Sequence, residues 1–136
     1  MALTITRREQ ERILALELDG RLTFGQEDIA LNDEIRHALA ARRTRVVVDL
    51  GGVEKMDSAG LGTLLYARAE LRRAGGGLAL CSLRPHHMHV LRTAKLETVF
   101  EIFANQQAAI DSFFAKLPMP RYDALREVTR ELQPVR

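Results

Sequence analysis

The sequence predicts an α/β domain built on a mostly parallel sheet, and three observations carry that expectation. Short apolar runs alternate with longer stripes of helical period along most of the chain. Glycine and proline stand at the junctions, at Gly20, Gly51-Gly52, Gly75-Gly76-Gly77 and Pro85. The 136 residues are 46% hydrophobic and 28% charged, which suits one domain with one core and leaves too little chain for two.

Leu3 and Ile5, then Ile13, Leu14, Leu16 and Leu18, predict two strands joined by a turn near Glu9 to Glu11. Apolar neighbours in Ile13 to Leu18 fit a strand buried on both faces, and Gly20 should end it. Arg21 to Gln26 reads as a loop. Glu27 to Ala41 carries Ile29, Ala30, Asp33, Ile35, Ala38 and Leu39 at helical spacing. Arg45 to Leu50, with three consecutive valines, predicts a strand bounded by Gly51-Gly52. Ser58 to Ala74 predicts the clearest helix, with Leu61, Leu64, Leu65, Ala69 and Leu71 as its stripe and Gly75-Gly76-Gly77 as its stop. Leu78 to Ser82 predicts a short strand. Pro85 suits the first turn of a helix reaching about Ala94. A last strand is expected over Val99 to Phe103 and a helix over Gln106 to Lys116. The order β-β-α-β-α-β-α-β-α implies four or five strands and about four helices. Leu117-Pro118-Met119-Pro120 breaks the pattern. The expected division is therefore a domain over 1–116 and an extension over 117–136. In the extension Tyr122, Leu125, Val128 and Leu132 predict a short amphipathic helix.

Twenty basic and eighteen acidic residues give a formal net charge of +2. The basic clusters Arg42-Arg43-Thr44-Arg45 and Arg72-Arg73 have no aromatic interleaving, so nucleic acid is not an expected partner. A single cysteine, Cys81, cannot close an internal disulfide and fits a reducing compartment. It is expected as a small core residue on its strand. The first residues lack a signal-peptide apolar core, and no run has the length of a membrane span. The cytoplasm is the expected location.

Parallel sheets present functional residues at the carboxyl ends of their strands. Ser58 falls at such an edge, in Met56-Asp57-Ser58-Ala59-Gly60-Leu61-Gly62, between a valine-rich strand and a helix. A phosphate there would bring about −1.5 to −2 charge to a helix N-terminus. The bland alternative is a helix cap supplied by Asp57 or Ser58. Gly60 and Gly62 are small enough to admit another backbone. A nucleophile elbow needs glycine where Met56 stands, and no base is placed by the sequence, so no enzyme is expected. His86-His87-Met88-His89 lacks the further ligands of a metal site and reads as a solvated helix start. Gly75-Gly76-Gly77 lacks the phosphate-loop pattern and leads into a strand. No cofactor is expected. Asp49 is either structural or an acidic neighbour of the serine edge.

The block Val46-Val47-Val48-Asp49-Leu50 followed by Met56 to Gly62 resembles the STAS domain of bacterial anti-sigma factor antagonists. Gly20-Arg21-Leu22-Thr23 resembles that family's early Gly-x-Leu-Asp loop, with Thr23 where the family has aspartate. Gly76 to Cys81 resembles its fourth-strand region. Pro85, Val90, Leu91, Leu96, Val99 and Phe100 fall at its later apolar landmarks. Lys95 stands where the family usually has glycine, and 117–136 runs past the usual domain.

The resemblance implies a STAS-like fold and a partner-switching function. The unphosphorylated protein would bind an anti-sigma factor that is also a serine kinase and so release a sigma factor. The kinase would then phosphorylate Ser58 and end the contact, and a serine phosphatase would reset it. Asp57, Ser58, Ala59, Gly60, Leu61, Gly62 and Thr23 would form the partner-binding edge. The competing expectation is a constitutive STAS adaptor in an ABC lipid-transport or stress-signalling complex, with Ser58 serving only as a cap.

Overall fold

The computed structural model describes residues 3–116, apart from the side chains of residues 26–28, 115 and 116. The amphipathic helix expected near 121–133 lies outside them. The elements run β1 (Thr4–Gln10), β2 (Ile13–Leu22), α1 (Gln26–Ala40), β3 (Arg45–Met56), α2 (Ser58–Arg73), β4 (Gly77–Cys81), α3 (Pro85–Thr93), β5 (Glu101–Phe103) and α4 (Gln106–Lys116). The sheet order is β1-β2-β3-β4-β5. β1 and β2 form an antiparallel hairpin, tightened by Glu11 at φ 58°, and every later pairing is parallel.

Strand alternation splits the core in two. Leu14, Leu16 and Leu18 of β2 and Val46, Val48 and Leu50 of β3 pack with Leu31, Ile35, Leu61, Leu64, Leu71 and Leu91 from α1, α2 and α3. The residues between them, Ile13, Ala15 and Val47, join Ala79 and Cys81 against Ala109, Ile110 and Phe113 of α4. Helices on both faces explain why β2, β3 and β4 read as continuous apolar runs. The Cys81 thiol is pushed up to about 11, first by burial and then by the negative charge of Asp49. It stays protonated and acts as a core residue.

Two strands run further than expected. β2 continues through Gly20, at φ 111°, to Leu22, and β3 continues through Gly51-Gly52 to Met56. The glycine pair does not stop β3. A Cβ on Gly52 would stand 1.9 Å from Asp19 Oδ1 and 2.8 Å from the Leu18 carbonyl oxygen. The glycine marks a close approach of two strands. The extension buries Val53 and Met56 and carries the chain to the start of α2.

His87 corrects another expectation. The start of α3 is not a solvated run of histidines, because His87 is fully buried. Its Nδ1 accepts from the Arg84 N–H at 3.0 Å, and its Nε2 lies 2.9 Å from the Val53 carbonyl. A carbonyl can only accept, so Nε2 carries the proton. Burial, with the neighbouring His86, holds the ring below the ordinary histidine value, against the opposing bond to Val53. The Arg84 guanidinium also donates from Nε to the Gly51 carbonyl at 3.0 Å. Together these bonds pin α3 to the β3 extension.

Both α2 and α3 end in the same double backbone bond. Gly76 N–H reaches Leu71 O at 2.8 Å and Gly75 N–H reaches Arg72 O at 3.0 Å. Leu96 N–H reaches Leu91 O at 2.8 Å and Lys95 N–H reaches Arg92 O at 3.0 Å. This arrangement needs a left-handed residue after the cap. Gly75 supplies it at φ 91°, whereas Lys95 is held at φ 61° with a side chain.

Candidate functional site

β2 and β3 end side by side, with Leu22 paired to Met56, and the chain then turns into α2. Asp57 governs that turn. It is the N-cap of α2, and its Oδ1 accepts from the Gly60 N–H at 3.0 Å. Its Oδ2 accepts from the Phe24 N–H at 3.1 Å, and its own N–H reaches the Leu22 carbonyl at 3.4 Å. One carboxylate thus caps α2 and ties down the loop that leaves β2. Burial pushes its pKa up, but the amide N–H groups of Gly60, Phe24 and Ala59 outweigh that and hold it below the ordinary carboxylate value.

Because Asp57 is the cap, Ser58 is the first helical residue, and it is exposed. Gly62 is exposed one turn further along, with open space where a Cβ would stand. Leu65 and Tyr66 follow at the next turn, 37% and 50% exposed. Residues four and seven or eight apart share one helix face, so Ser58 begins an outward strip that becomes apolar about 10 Å along α2. Phe24, whose amide is held by Asp57, is 80% exposed, and Ile29 on α1 is 56% exposed. Ala59 and Thr23 are half-buried at the same edge.

Gly60 and Leu61 are placed differently from the sequence expectation. Both are buried, so neither offers a side chain to a partner. A Cβ on Gly60 would sit 2.2 Å from the Leu22 carbonyl oxygen. The glycine is there to let α2 meet the end of β2, and Leu61 anchors that first turn in the core. Leu65 and Ile29, read from the sequence as part of the buried stripes, face outward instead. Phe24 was hidden in a stretch read as loop; its signal was a large aromatic beside the Gly-x-Leu segment.

The other candidate chemistry lies elsewhere. Asp49 faces α4, accepting from the Gly51 N–H at 2.8 Å and from Gln106 Nε2 at 2.9 Å, so its role is structural. Gln106 also reaches Glu17 at 2.7 Å. Among the described residues no group of three or more His, Cys, Asp or Glu is arranged to hold a metal. None of their helices is long and apolar enough to cross a membrane.

Residues 4–109 match the family model described as STAS domain. A protein of Bordetella bronchiseptica named as an anti-sigma factor antagonist, BtrV, is 32% identical over 109 residues, covering 75% of this chain and 94% of that one. A Thermotoga maritima crystal structure described as an anti-sigma factor antagonist superposes with a TM-score of 0.75 at 18% identity, over 81% of this chain and 94% of the other. SpoIIAA, described as an anti-sigma factor antagonist and solved in unphosphorylated form, superposes at 0.65 with 16% identity, over 84% of this chain and all of that one. SpoIIAA of Bacillus has also been solved phosphorylated, and that form superposes at 0.64 with 21% identity, over 80% of this chain and 98% of the other.

Proposed function

This chain belongs to the STAS domain family, and we propose that it is an anti-sigma factor antagonist switched by phosphorylation of Ser58. In its unphosphorylated form it docks on an anti-sigma factor with serine-kinase activity, which then lets go of a sigma factor. The kinase transfers a phosphoryl group from ATP to the Ser58 hydroxyl and contact is lost. A serine phosphatase hydrolyses the ester and restores docking. Asp57, Thr23, Ala59 and Gly62 form the edge around the acceptor. Gly60 and Leu61 act from beneath, by setting the position of α2.

The observation that carries this reading is the division of labour at residues 57 and 58. Asp57 performs the capping, so the exposed Ser58 hydroxyl is not needed to hold the helix. The surroundings fit a docking switch. Phe24, Leu65 and Tyr66 offer apolar contact area close to the acceptor. A phosphate dianion beside that surface, and beside the Asp57 carboxylate, would have to be desolvated when a partner covers it. A useful switch needs about 100-fold weaker binding, which is about 2.7 kcal/mol. Relatives named as anti-sigma factor antagonists, and a similarly folded protein solved in both phosphorylation states, agree with it.

Affinity capture from the native host, with wild type and Ser58→Asp as parallel baits, tests the proposal. An anti-sigma factor with kinase sequence, held by wild type and lost by Ser58→Asp, is the expected result. An ABC ATPase or another partner held equally by both would make the chain a constitutive adaptor and refute the switch.

A further inference from the structure

At the opposite end of α2 lies a cleft of about 390 Å³, lined by Arg45, Arg68, Arg72, Gly75–Leu78, Glu101 and Phe113. Arg45, Gly77 and Glu101 begin β3, β4 and β5, so the cleft sits at the amino edge of the sheet. Ser58 is fourteen residues from Arg72 along α2, or about 21 Å. The two places are separate.

Some arginines of the described surface are paired with carboxylates and others are not, and the cleft gathers three of the unpaired ones. Arg7, Arg8, Arg36, Arg43 and Arg73 each pair with a carboxylate within 3.3 Å. Arg45, Arg68 and Arg72 have no ion pair among the described residues, yet they line one cavity. Among the described residues that line it, three guanidinium groups stand with one carboxylate, that of Glu101, an excess of two positive charges. Like charges gathered around one space raise the energy of the empty cleft and favour an anion in it.

The remaining walls define the shape of a ligand. Phe113 of α4 supplies an apolar edge to the cleft. Gly75 leaves the mouth open, whereas a Cβ at Gly76 would stand 1.8 Å from the Thr44 carbonyl oxygen and one at Gly77 3.4 Å from the Phe113 ring. The volume is that of a small-molecule site. Guanidinium forks suit the oxygens of a phosphate, and a phosphate monoester dianion matches the excess charge. We propose that this cleft binds a small organic phosphate, with its phosphate on Arg45, Arg68 and Arg72 and its carbon body against Phe113.

Titration calorimetry of the full chain at low salt tests this with phenyl phosphate as the probe. One saturable site with a Kd below about 1 mM is expected, and inorganic phosphate should bind about tenfold more weakly for want of the apolar contact. Arg68→Gln or Arg72→Gln should weaken phenyl phosphate at least tenfold, about 1.4 kcal/mol. Arg45→Gln with Arg68→Gln should abolish binding, and Ser58→Asp should leave it unchanged. Failure of wild type to saturate, equal affinity in the double variant, equal affinity for inorganic phosphate, or loss in Ser58→Asp would each overturn the assignment. Unfolding midpoints of the glutamine variants, expected to match wild type, confirm that they are folded. None of these outcomes bears on the Ser58 switch.

Discussion

Replacing Asp57 by alanine removes two bonds made by one carboxylate. The 3.0 Å bond to the Gly60 N–H is the α2 cap, and loss of such a cap costs about 1 kcal/mol. The 3.1 Å bond to the Phe24 N–H joins a charged acceptor to the loop after β2, at a partly exposed site that brings it to about 1 kcal/mol. Asp57→Ala should therefore lose about 2 kcal/mol of unfolding free energy in urea at pH 7, and Asp57→Asn about half of that, since its amide oxygen can still serve one N–H. The pH dependence gives a second check. The carboxyl is held below its ordinary value of 3.8. Its contribution is full above that value and is lost as pH falls through the lower folded-state value. The gap between wild type and Asp57→Asn should stay constant down to about pH 4 and close below it. An Asp57→Ala variant within about 0.5 kcal/mol of wild type, or a gap that ignores pH, would refute the reasoning.

Gly60→Ala and Gly62→Ala make a matched pair. The first forces a methyl toward the Leu22 carbonyl and should cost about 2–3 kcal/mol, while the second enters open space and should gain about 0.5–1 kcal/mol in the urea midpoint. Lys95→Gly relieves a left-handed residue at the end of α3 and should raise thermal stability by about 1 kcal/mol; a loss would contradict the strain. Below the ordinary histidine value of 6.5 the unfolded chain gains a proton that buried His87 resists. Stability should thus be level above that pH and fall below it, more steeply in wild type than in His87→Gln, as read by urea midpoints from about pH 7.5 to 5.

The order and type of every described element were legible in the sequence, because apolar period and glycine or proline punctuation agree at each step. The ends of β2 and β3 were not. Gly20 and Gly51-Gly52 look like terminators, yet Gly20 carries β2 onward at φ 111° and Gly52 sits where β3 meets Leu18 and Asp19 of β2. Ser58 and Asp57 were legible as a pair, but which of them caps depends on backbone angles that residue types do not set. Gly60 and Gly62 read alike in the sequence and are opposites in the fold, one wedged against Leu22 and the other open. The outward turn of Leu65, and the exposure of Phe24, were masked because a helix stripe of leucines does not mark its own boundary. His87 was missed since its partner, the Val53 carbonyl, belongs to the unforeseen part of β3.

The central claim is that phosphate on Ser58 ends a protein contact. The most direct measurement is the Kd for this chain of the anti-sigma factor with serine-kinase activity proposed as its partner, with and without phosphate on Ser58, with Ser58→Ala alongside. Switched docking predicts that the unphosphorylated chain and Ser58→Ala bind alike and that the phosphorylated chain binds about 100-fold more weakly. Equal affinity of the phosphorylated and unphosphorylated chains would contradict it.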